Sequence, residues 1–107
     1  MSSENITGFV RGLIQKDDSV TDANNCRDSV IKINNEIHKE FPTVETNFMV
    51  YPEAREGFGV HYSLLVKQDE NEILINLVKA PGFPIYIGDL KKAVPTFSSM
   101  KVTPGVI

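Results

Sequence analysis

Between Val60 and Lys79 the chain reads VHYSLLVKQDENEILINLVK, and this stretch limits the fold more than any other. Val60, Tyr62, Leu64 and Val66 are apolar at every second position, with His61, Ser63 and Lys67 between them and only Leu65 out of pattern. A period of two puts the four apolar side chains on one face of a strand. Ile73, Ile75 and Leu77 repeat the pattern after the polar run Gln68–Glu72, where the chain must reverse. A β-hairpin is predicted here, and the other elements are arranged around it.

Two helices are predicted before it. Ser2 or Ser3 can cap the first, in which Ile6, Phe9, Val10, Leu13 and Ile14 form one apolar face ending near Lys16–Asp18. Gly8 and Gly12 lie inside it and weaken it, or else mark the close approach of another backbone. Thr21 or Asp22 can cap the second, whose stripe of Ala23, Cys26, Val30, Ile33, Ile37 and Phe41 recurs every three or four residues. Pro42 ends it, since the residue before a proline avoids the helical region.

Val44, Thr46, Phe48 and Val50 alternate with Glu45, Asn47, Met49 and Tyr51, giving a further strand that Pro52 is expected to stop. The turn Ala80–Pro84 and a short strand at Ile85–Ile87 follow the hairpin, and Asp89 can cap one helical turn over Leu90–Val94. The fold class is therefore α+β, with two N-terminal helices packed on an antiparallel β-meander of three to five strands. At 107 residues the chain fits a single domain, 1–107. Its apolar ending VTPGVI reads either as a tail docked on the sheet or as a sign that this is the N-terminal domain of a longer chain.

Composition excludes some functions. Net charge is −3, and the 11 Lys and Arg are scattered, with Lys91–Lys92 the only adjacent pair. No basic footprint for nucleic acid is present. No apolar run approaches the ~20 residues that span a bilayer, so no membrane partner is expected. One cysteine, Cys26, allows no internal disulfide, and with no signal peptide the expected compartment is cytoplasmic.

Chemistry-bearing patterns are sparse. His38 and His61 sit on different elements, so neither a metal site nor a cofactor is expected. Cys26, inside an apolar stripe, reads as an inert buried thiol. Gly57-Phe58-Gly59 lacks the pattern of a phosphate loop, and no serine lies in a nucleophile motif. No catalytic residue is assigned.

The two faces of the predicted meander differ. One, with Phe48, Leu64 and Ile75, must lie under the helices. The other mixes Met49, Tyr51, Leu65, Leu74 and Val78 with Glu45, Asn47, His61, Ser63, Lys67 and Asn76. Large apolar groups gathered on an open face mark contact with something. The expected function is accordingly a small acidic, non-catalytic protein-interaction module, inhibitor-, immunity- or chaperone-like. Its partner is another protein or a second copy, bound through Met49, Tyr51, Leu65 and Leu74 with Arg55 and Phe58 flanking. The alternative is a small-molecule-binding domain or small enzyme, with its site between the 53–61 loop and the 82–88 segment.

Overall fold

The computed structural model describes residues 3–16, 26–55, 59–68, 70–79, 84–93 and 103–105, with the side chains of 3–5, 26, 50–55, 59–60 and 103–105 left aside. Two helices, α1 (Ser3–Lys16) and α2 (Cys26–Glu40), precede β1 (Glu45–Arg55), β2 (Gly59–Gln68), β3 (Asn71–Asn76), β4 (Tyr86–Asp89) and β5 (Thr103–Gly105). The sheet runs β4-β3-β2-β1-β5, and each neighbouring pair is antiparallel. Four consecutive strands thus make the meander expected of an α+β chain, and β5 returns to close the opposite edge.

The helices form for the reason their spacing implies. Ile6 and Val10 of α1, and Val30, Ile33 and Ile37 of α2, are buried, while Arg11, Lys32 and Asn35 face water. The α1 helix packs on β4 and β3, and α2 on β2. Between them Phe9 and Phe41 meet edge to face, with centroids 5.6 Å apart and planes at 83°. That geometry suits the ring quadrupoles and adds to the area buried. Phe41 N–H still reaches the Ile37 carbonyl at 2.6 Å, and Pro42 then turns the chain into β1. A Cβ placed on Gly8 or Gly12 would meet nothing within 4 Å. The two glycines therefore serve no close backbone approach among the described residues.

Leu64, Val66, Ile73 and Ile75 project from the sheet into this helix-side core, with Phe48, Tyr62 and Ile87 partly buried beside them. Leu77 and Val78 both join it. Val78 was expected on the opposite face, but β3 ends at Asn76, and past that point alternation no longer decides direction.

Three boundaries differ from the sequence reading. Gln68 pairs with Asn71, so the hairpin reverses more tightly than the five polar residues suggested. β1 runs through Pro52 to Arg55, and its register on β2 shifts between Tyr51 and Arg55. Such an irregularity is where a strand tolerates a proline, because no ladder donor is needed there. Third, β4 begins at Tyr86, one residue later than expected, and runs two residues past Ile87 to Asp89. Its last residue, Asp89, caps a 3₁₀ turn at Leu90–Lys92 by accepting from Lys91 N–H at 3.0 Å.

The direction of the ladder groups in the regular part of the sheet follows from one contact. Arg11 donates to the Ile87 carbonyl at 3.0 Å, which turns the backbone of Ile87 away from β3. In an antiparallel ladder bonded and non-bonded pairs alternate. Ile87–Ile75 is then a non-bonded pair, Ile75–Leu64 bonded, Leu64–Phe48 non-bonded and Phe48–Gly105 bonded. The count reaches Pro104, opposite Met49, at a position needing no donor toward β1. A proline fits there and nowhere else in a three-residue strand.

Candidate functional site

The register brings Met49 beside Ser63, Asn47 beside Leu65, Leu65 beside Leu74 and Leu74 beside Gly88. Met49, Leu65 and Leu74 therefore share the face turned from the helices, as expected. The face is not open, however. Leu74 is 0% exposed and Leu65 8%, and His61, Ser63 and Asn76 are each at 0%. Among the described residues of the expected contact set, Met49 alone is half-buried. Leu65 and Leu74 thus offer no surface to a partner, and that part of the expected site is corrected: alternation identifies a face, but not whether something covers it. Backbone pairing sets Tyr51 beside His61 and Arg55 beside Gly59. The side chains of Tyr51 and Arg55, and Phe58 entirely, lie outside the described residues, as does the stretch holding Phe97 and Met100.

A buried polar chain crosses this face. His61 and Asn76 stand on neighbouring strands, with His61 Nε2 2.7 Å from Asn76 Oδ1. Asn76 Nδ2 donates in turn to the Pro84 carbonyl, also at 2.7 Å. A carbonyl only accepts, so Asn76 must turn its amide nitrogen to Pro84 and its oxygen to His61. His61 Nε2 therefore carries the hydrogen. In apolar surroundings each of these bonds matters more than at the surface, because an orphaned group would cost about 1–3 kcal/mol. The chain also ties β2 to the segment entering β4, the two regions between which the alternative site was expected. His61 lies there, wholly buried, with the one ring nitrogen that can be assigned engaged in the fold.

The second histidine sits in a similar relay. His38, near the end of α2, places Nε2 2.8 Å from Thr46 Oγ1 of β1, and Thr46 donates to Asn34 Oδ1 at 2.7 Å. The hydroxyl proton goes to Asn34, so His38 is the donor to Thr46. A hydroxyl activated for attack would give its proton to the imidazole, the reverse of this arrangement. The relay staples α2 to β1. No group of three or more His, Cys, Asp or Glu side chains gathers among the described residues in a way that could hold a metal ion.

A third cluster lies at the β4 edge. Tyr86 donates its hydroxyl to the Asp89 carbonyl at 2.6 Å. Its ring passes over Gly88, where a Cβ would stand 3.2 Å from the phenol oxygen. The glycine is what lets the ring lie flat on the strand. Burial raises the Tyr86 phenol above its ordinary value of 10.0; the Asp89 charge adds to the rise and Arg11 opposes it. Beside this cluster Ile85 is 51% exposed, the one large apolar side chain so placed among the described residues. The patterning gave no hint of this edge, because a contact between Arg11 and Ile87 joins residues far apart in the chain.

No helix among the described residues is long and apolar enough to cross a membrane. Set against family models, curated proteins and solved structures, the chain matches none of them.

Proposed function

We propose that this chain is a small, acidic, non-catalytic protein-interaction module working in the cytoplasm, and that it holds its partner at one end of the sheet. The observation that carries this reading is the engagement of both histidines: His61 through Asn76 to Pro84, and His38 through Thr46 to Asn34. Groups that resemble catalytic ones in sequence are bound into the fold. The proposed contact set is Met49, Tyr51, Arg55 and Phe58, and it leaves out Leu65 and Leu74, which are buried. Arginine and aromatic side chains are the residue types that dominate binding energy. An acidic chain favours a partner whose facing surface is basic.

The test is site-specific photo-crosslinking in the native host. A photoreactive phenylalanine replaces Phe58, and in a control replaces the exposed Glu40 on α2. A discrete adduct from position 58 and none from position 40 supports the reading. An adduct of twice the chain's mass identifies the partner as a second copy. Equal, diffuse labelling from both positions overturns it.

One observation favours the alternative of a small-molecule site. Asn76 joins His61 to Pro84, so the two segments proposed to flank such a site are in contact. A reproducible rise in Tm with a metabolite or metal ion, abolished by Asn76→Leu, would establish a small-molecule site in place of the protein partner.

A further inference from the structure

Among the described residues the β4 strand has one neighbour, β3, and its other side is an edge. A row of outward N–H and C=O groups recruits further strands unless something occupies it. Here the chain occupies it with its own side chains. The Ile87 carbonyl takes the guanidinium of Arg11 from α1 at 3.0 Å, in an exposed bond. Two residues on, with the same outward direction, the Asp89 carbonyl takes the Tyr86 hydroxyl at 2.6 Å. We infer that the outer edge of β4 is a self-pairing surface that Arg11 and Tyr86 keep closed, and that a second copy of this chain adds to it, β4 against β4, when they are withdrawn.

The geometry selects a second copy. A two-fold axis at Ile87 sets that residue against its own counterpart, both with backbone groups outward, so the pair exchanges two hydrogen bonds. The facing isoleucines then form an apolar cross-strand contact on the helix side. Ile85, 51% exposed, lies beside the edge and gains cover. The opposite edge cannot take part. There Pro104 faces outward with no N–H to give, and β5 is three residues long. A head-to-tail array of β4 on β5 is blocked, so pairing closes at two chains.

The test is the mass of Arg11→Met with Tyr86→Phe, measured by light scattering over rising protein concentration. The methionine keeps an apolar stem but donates nothing. The expected result is a mass climbing toward twice 11.9 kDa, while the parent chain does not climb through this edge. Amide hydrogen exchange places the contact: the Ile87 and Asp89 amides become protected in the double variant and are unprotected in the parent. Adding Ile85→Lys sets a charge at the edge and returns the variant to the parent's mass. An unchanged mass at every concentration, with an unchanged circular dichroism spectrum, overturns the inference. So does a dimer whose Ile87 amide exchanges as before, or a parent chain in which that amide is already protected. Should the methionine variant misfold, Arg11→Leu carries the same test. Photo-crosslinking at position 58 is independent of this edge, so either idea can fail without the other.

Discussion

Leu64 and Leu74 sit on opposite faces of the same sheet, and both are 0% exposed. Truncating each to alanine therefore compares the two faces directly. Leu64 lies under the helices, where removing one methine and two methyl carbons should cost about 2–5 kcal/mol in lost transfer energy and residual cavity. If the second face is equally a core, Leu74→Ala costs the same about 2–5 kcal/mol. If that face is instead a dry-looking surface, the loss falls within about 0.5 kcal/mol, the usual range for surface changes. A domain of this size holds only about 5–15 kcal/mol in all, so the two outcomes separate cleanly. The assay is urea unfolding followed by far-UV circular dichroism, with ΔG taken from midpoints at a common slope. Leu74→Ala falling within about 0.5 kcal/mol of the parent, while Leu64→Ala falls by several, would refute the two-faced core. It would also restore Leu65 and Leu74 to the contact surface.

Asn76→Leu keeps the volume but leaves the buried His61 Nε2–H without its acceptor, and should cost about 2–4 kcal/mol by the same urea assay. Part of that loss should return in His61→Phe/Asn76→Leu, because a pair of apolar groups needs no acceptor. Thr46→Val severs the link between α2 and β1, and since its partners are half-buried the loss should be near 1 kcal/mol in urea. Tyr86 holds its proton more tightly folded than unfolded, so its contribution is complete below the ordinary value of 10.0 and is lost as pH rises through the higher folded value. The urea midpoint of the parent should therefore fall more steeply above pH 10 than that of Tyr86→Phe, and parallel curves would contradict the assignment.

What could be read from the sequence was whatever a period imposes. Ile6, Val10, Val30, Ile33 and Ile37 repeat at helical spacing and are buried. Leu64, Val66, Ile73 and Ile75 repeat at strand spacing and face them. Asp89 could be recognised as a cap because a carboxylate before a helical turn has few other uses. Three things were not legible, each for its own reason. Pro52 stops a ladder only where its N–H is required, and a register shift removes that requirement. β5 has three residues, one a proline, too few for alternation to show. The burial of Leu74 depends on what lies over the sheet, which no local pattern encodes. Of the expected contact residues, Met49, Leu65 and Leu74 were placed on the correct face, and the exposure of that face was what could not be read.

A sheet covered on both sides loses the in-out contrast that ordinarily sets strand register. A slip of one residue between β2 and β3 would exchange one apolar set for another, since Leu65 and Leu74 are as apolar as Leu64 and Ile73. The polar groups of the second face break that degeneracy. With Leu64 opposite Ile75, His61 and Asn76 fall close enough to bond at 2.7 Å, and Asn76 reaches Pro84. After a slip of one, either His61 or Asn76 would turn away from the other and into the helix-side cluster, where the buried side chains are hydrocarbon. Each would then forfeit its partner at about 1–3 kcal/mol, more than an apolar exchange would recover. The residues most suggestive of chemistry thus have sufficient reason to be where they are in folding alone. The binding proposed above then falls to the perimeter of the sheet, of which the β4 edge under Arg11 is one part.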